Sequence, residues 1–111
     1  MNKVNLVGRI TADPKIDMIE GKKQTRFTVA IRRKFSKNKK NDIDYISCVA
    51  KGHNAEFIEQ HFTKGNNIVI VGEIRTKKYK SGGRINYSTS IFVEEVDFVR
   101  SDEDFKANER S

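Results

Sequence analysis

Tryptophan is absent from this sequence, proline and cysteine occur once each, and histidine twice. Each scarcity removes a class of explanation. A lone cysteine, Cys48, cannot close an internal disulfide; among apolar neighbours it reads as a small buried hydrophobe in a reducing compartment. The two histidines, His53 and His61, are not an i, i+4 pair and have no cysteine at ligand spacing, so no metal site is expected. No stretch approaches the roughly 18 apolar residues of a membrane span. The opening MNKVNLVGRITADP lacks the apolar core of a secretory signal, so a cytoplasmic location without membrane contact is expected. Catalytic groupings are missing too. Glu94 and Glu95, neighbours in a strand pattern, should point to opposite faces and make a poor acid/base pair. Gly82-Gly83 has no helix after it to complete a phosphate-binding loop. The sequence therefore implies no catalytic residue, no cofactor and no enzyme.

What the chain does have is positive charge. It carries 22 Lys and Arg against 15 Asp and Glu, a net +7 with a pI near 9.6, in 111 residues, enough for one domain. Residues 100–111, RSDEDFKANERS, show no alternation and read as a flexible C-terminal tail. The first 99 residues hold 19 of the cations and only 11 of the acids, so the basic surface belongs to the folded domain, 1–99. Such a surface favours nucleic acid, an anionic membrane or an acidic protein.

Apolar residues recur every second position in NKVNLVGRI, TRFTVAIRR, DYISCVAK and INYSTSIFVEEVDFV, the last alternating through Val93 and resuming at Val96 and Phe98, while NNIVIVGEI is a near-continuous apolar run of strand length. TADPK, IEGKK and KSGGR read as turns. One stretch reads as a helix: in HNAEFIEQHF, Ala55, Ile58 and Phe62 share a face, Asn54 is available as N-cap, and KGNN follows as a stop. The order is three strands, a short helix, two strands. That is an all-β chain with one short helix in OB-fold order, a five-stranded Greek-key barrel; an SH3-like barrel has less need of the helix.

Two segments interleave cations with one aromatic and contain no acid. IRRKFSKNKK, residues 31–40, places Phe35 among Arg32, Arg33, Lys34 and Lys37. RTKKYKSGGR, residues 75–84, places Tyr79 among Arg75, Lys77, Lys78, Lys80 and Arg84. Tyr45 follows the first segment and Tyr87 the second. Basic side chains neutralise phosphates and release counterions without reading sequence. Exposed rings stack unpaired bases, each stack worth about 1–3 kcal/mol by alanine substitution. A duplex hides its base faces, so the combination favours single strands. Phe35, Tyr45, Tyr79 and Tyr87 are the candidate stacking platforms, and the cations just named, with Lys51, the candidate backbone contacts.

At these residues the chain resembles the bacterial single-stranded DNA-binding protein family. NKVNLVGRITADPKI, FTVAIRRKF, DYISCVAKGHNAEFIEQHFTKGNNIVIVGEIRTKKY and INYSTSIFVEEVDFV resemble its blocks, in order, over residues 1–99. The resemblance implies an OB-fold that coats single-stranded DNA in replication, recombination and repair, as a homotetramer. It implies base stacking at Phe35, Tyr45 and Tyr79, and it places Lys51 where an aromatic is usual. It also implies a long linker with an acidic tip for docking partner proteins. This sequence ends instead at Ser111, which suggests a short phage or mobile-element member, or recruitment lost or supplied differently. Two other functions fit the same residues: an OB-fold RNA binder, and a primosome-type interaction module whose basic face serves assembly.

Overall fold

The computed structural model describes residues 1–34 and 42–99. Phe35 and Lys37 lie outside the described residues, as does the expected tail. The elements are β1 (Val4–Ile10), β2 (Ile16–Ile19), β3 (Lys22–Arg32), β4 (Ile43–Lys51), α1 (His53–His61), β5 (Asn67–Ser81) and β6 (Arg84–Phe98). All strands join one sheet in the order β1-β5-β6-β4-β3-β2, and an additional β1–β3 pairing closes it. The closed ring therefore has five strands, the OB-fold barrel expected, with β2 laid along the near half of β3. The sequence pattern gave no sign of β2. It is four residues long, and three of them are exposed, too short a run for alternation to show.

Closure needs β1 and β3 to approach closely at Gly8. A Cβ there would lie 2.6 Å from the Ala30 carbonyl oxygen and 2.6 Å from a Val29 methyl group. Beyond that crossing the chain turns through residues 11–15, where Pro14 cannot donate to a ladder, and then rejoins β3 as β2. Inward positions of every barrel strand fill the core: Ile10, Phe27 and Val29, Cys48 and Ala50, Ile68 and Ile70, Ile91 and Val93. Helix α1 plugs one end with Ala55, Ile58 and the following Phe62, all buried.

Two local features depart from the sequence reading. Asn54 is not the N-cap. Gly52 occupies that position at φ 58°, and the Asn54 amide instead donates to the carbonyls of Val93 (3.5 Å) and Glu94 (3.2 Å), tying the helix to β6. The second is the interruption between Val93 and Val96. Val71 pairs with Glu95 while Gly72 pairs with Val93, so Glu94 is an extra residue, a bulge that moves the inward phase of β6 from odd to even positions. The alternation used to separate Glu94 from Glu95 is broken there. Both are outside the core, and Glu94 accepts a hydrogen bond from Lys3 at 3.1 Å.

Candidate nucleic-acid interface

The strand pairing decides which candidate residues share a surface. In an antiparallel ladder, residues directly opposite each other project from the same face, and the next pair projects from the other. On the outward face of β3 and β4, Gln24 pairs with Lys51, Arg26 with Val49, Thr28 with Ser47, Ala30 with Tyr45 and Arg32 with Ile43. On β5 and β6 the same face carries Glu73 and Phe92, Arg75 and Ser90, Lys77 and Ser88, Tyr79 and Asn86, then Ser81 and Arg84. The two halves meet where β4 and β6 run parallel, through Cys48–Ile91 and Val49–Phe92. From that seam both hairpins extend in the same direction, as the two walls of a groove.

The β5–β6 wall is long because its turn is tight. Gly82 and Gly83 both adopt positive φ, 59° and 77°, the two-residue primed turn that matches strand twist. The β3–β4 wall is tied by Arg33. Its guanidinium donates to both Asp44 oxygens, Nε at 3.2 and 3.1 Å and Nη2 at 2.9 Å, and its backbone N–H donates to the Asp42 carbonyl at 2.9 Å. These hydrogen bonds and the adjacent charge hold the Asp44 carboxyl below its usual range. Arg33, read from the sequence as a backbone contact, is thus already engaged as a clamp on the hairpin.

Tyr45 is exposed at 66% and Tyr79 at 47%, both on the outward face. Tyr45 lies four residues before Val49 on its strand, roughly 14 Å from the seam. Tyr79 pairs with Asn86, six residues before Phe92 and roughly 20 Å from it along β6. The groove thus has an aromatic on each wall. Arg32, Lys51, Lys77 and Arg84 share this face and make no ion pair among the described residues. Lys34 is exposed where the first hairpin leaves β3.

Three candidates project elsewhere. Tyr87 pairs with Lys78, and Lys80 with Ile85, on the opposite face of the β5–β6 wall. The sequence reading grouped Tyr87, Lys78 and Lys80 with Tyr79 because they are close along the chain. The register separates them, and they do not enter the groove.

The structure also adds residues the pattern missed. The groove floor is a depression of about 500 Å³ whose lining includes Arg26, Val49, Lys51, Arg75, Lys77 and Phe92. Val49 is 1% exposed although it lies on the outward face. The Arg75 guanidinium lies 4.0 Å from the centre of the Phe92 ring and the Lys51 ammonium 5.1 Å. Arg75 is also paired with Glu73, so neither it nor Lys51 is an isolated surface cation. One signal pointed to Phe92: it is a bulky ring in the even phase of β6, out of step with the odd core positions Ile91 and Val93.

Among the described residues no group of three or more His, Cys, Asp or Glu side chains could hold a metal ion. His61 is occupied in ring packing, 4.6 Å from Phe57 and 5.7 Å from Phe98, centre to centre. Burial pushes the Cys48 thiol up to about 12, which removes it as a nucleophile at neutral pH.

A family model described as the single-strand binding protein family matches residues 1–99. The chain belongs to that family. Its relatives include a protein of Clostridium perfringens named single-stranded DNA-binding protein, 42% identical over 104 residues, covering 91% of this chain and 67% of that protein. One of the same name from Clostridium tetani is 38% identical over 102 residues, covering 89% and 70%. A third, single-stranded DNA-binding protein 2 of Streptococcus agalactiae serotype V, is 37% identical over 102 residues, covering 90% and 78%. Single-strand binding proteins are non-enzymatic DNA-binding proteins, in line with the expectation that the chain is not an enzyme. The matched span contains both walls of the groove and its floor.

Proposed function

We propose that this protein binds single-stranded DNA along the groove, without strong sequence preference, and protects unpaired strands during replication, recombination and repair. The observation that carries the proposal is the shared outward face of Tyr45 and Tyr79, flanked by cations that no acid neutralises among the described residues. Bases of a single strand stack on the rings while Arg32, Lys51, Lys77 and Arg84 follow the phosphates. Phe35 and Lys37, outside the described residues, follow Lys34 in sequence and are assigned to the same bound strand. Arg33 acts by holding its hairpin in place. Family membership and the names of the relatives support this reading.

The test is a titration with poly-dT, poly-U and duplex DNA over a salt series. The proposal expects tight poly-dT binding, weaker duplex binding, and log K falling linearly with log salt. Equal affinity for duplex would overturn it, and a preference for poly-U would favour the RNA reading. Self-association into a homotetramer is part of the proposal. The exposed Ile74, Ile85 and Tyr87, which share the back of the β5–β6 wall with Lys78 and Lys80, support it as contact residues. Light scattering of the free and DNA-bound protein measures the assembly and the stoichiometry together.

A further inference from the structure

We infer that Phe92 and the Arg75 guanidinium lying over its ring form a base-stacking platform at the floor of the groove, covered in the free protein by Lys51 and uncovered when a strand binds. The inference rests on the proposed single-strand reading and adds a nucleobase subsite to it.

Phe92 occupies the seam, paired with Val49, where the two walls meet. A phenylalanine on the outward face of a barrel has no core to fill. It is half-buried here because Val49 lies beside it and two cations lie over its ring. Those cations are held differently. Arg75, 4.0 Å from the ring centre, is also anchored by the Glu73 carboxylate. Lys51, at 5.1 Å, is exposed and makes no ion pair among the described residues. A lysine stem is flexible and its ammonium is a point charge, whereas a guanidinium is planar and can itself lie against a base.

A strand entering the groove brings two groups together, a flat base and a phosphate. The ammonium gains more from a phosphate oxygen than from a ring face, because a charge-assisted hydrogen bond is stronger than a partly solvated cation–π contact. Lys51 therefore turns to the backbone, and the base stacks over the Arg75 guanidinium, which stays on the Phe92 ring. The three rings Tyr45, Phe92 and Tyr79 then run up one wall, across the floor and up the other.

The test uses the full chain and poly-dT. Phe92→Leu keeps an apolar side chain against Val49 but removes the ring. It is expected to weaken binding by about 5- to 150-fold, the range one base stack supports, with an unchanged salt slope and melting temperature. Phe92→Trp gives the protein a sole tryptophan. Its emission is expected to change on saturation, because the base covers the platform that the indole underlies. Phe92→Leu binding within twofold of wild type, or an indole emission of the Phe92→Trp variant unmoved at saturation, overturns the inference. If Tyr79→Ala weakens binding in the same series, the groove reading survives that failure. Wild-type protein that does not bind poly-dT overturns both.

Discussion

The two faces of the β5–β6 hairpin have similar compositions and different surroundings. One face carries Arg75, Lys77, Tyr79 and Arg84 and continues into the groove floor at Phe92. The other carries Lys78, Lys80, Tyr87 and Ile85, and its barrel end is Ile74 opposite Ile91. Tyr87 is the more exposed of the two tyrosines, 67% against 47%. Exposure by itself would choose Tyr87 as the stacking ring. Orientation chooses Tyr79, because only that face meets the cations and ring of the β3–β4 side. A basic-aromatic segment is thus two surfaces interleaved residue by residue, and the strand register determines which one faces a ligand.

The largest effect should come from removing an aromatic from each wall. Tyr45→Ala with Tyr79→Ala is expected to weaken poly-dT binding by at least about 2 kcal/mol, since each stack is worth about 1–3 kcal/mol, with folding intact because both rings are exposed. Fluorescence anisotropy at moderate salt measures it. A loss below twofold would remove the groove face from the binding account.

Next is the bulge that sets the phase of β6. A Cβ on Gly72 would run into the Phe92 carbonyl oxygen. Gly72→Ala is expected to lower stability by about 1–3 kcal/mol through overpacking, and to disturb the seam that carries Phe92. Thermal unfolding reads the first effect and poly-dT affinity the second. An unchanged melting temperature would show that the strand accommodates the methyl group.

Charge gives a smaller and more graded contrast. Lys51→Phe should tighten binding and reduce the slope of log K against log salt by about 1, because a ring replaces a phosphate contact. Binding no tighter and no less salt-dependent than wild type would show that Lys51 meets no phosphate.

The smallest difference expected is between adjacent arginines. Arg32→Ala should reduce the salt slope by about 1, whereas Arg33→Ala should change it less, since Asp44 already takes that charge. Asp44 has a lowered pKa, so its pairing is complete above the ordinary carboxylate range, near about pH 4, and is lost only as pH falls through the lowered value. The clamp should therefore be indifferent to pH between about 5 and 8. Hydrogen exchange of the Arg33 amide, which donates to the Asp42 carbonyl, checks this once intrinsic exchange is allowed for.

Most of the barrel was legible in the sequence because its core follows period 2. Phe27 and Val29, Cys48 and Ala50, and Ile91 and Val93 announce their strands and point inward as expected. The interruption before Val96 was visible too, and the bulge at Glu94 is its physical cause. Strand β2 was illegible because it is short and mostly exposed. Asn54 misled because a good capping residue sat inside the first turn of the helix, where its amide found carbonyls of β6 instead. The site was half legible. Composition located both basic-aromatic segments, and Tyr45 and Tyr79 do share a face. It did not separate Tyr87 from Tyr79, because the turn was legible at KSGGR but the pairing register it sets was not. Phe92 showed in the sequence only as a ring in the even phase of β6, because its neighbours Lys51 and Arg75 are distant in sequence and adjacent only across the sheet.

The most direct test of the account sets Tyr79→Ala against Tyr87→Ala in one poly-dT titration at moderate salt. The register predicts that Tyr79→Ala loses about fivefold or more in affinity, as one lost stack requires, while Tyr87→Ala stays within about twofold of wild type. Equal losses, or a larger loss for Tyr87→Ala, would contradict the assignment of the groove face as the single-strand surface.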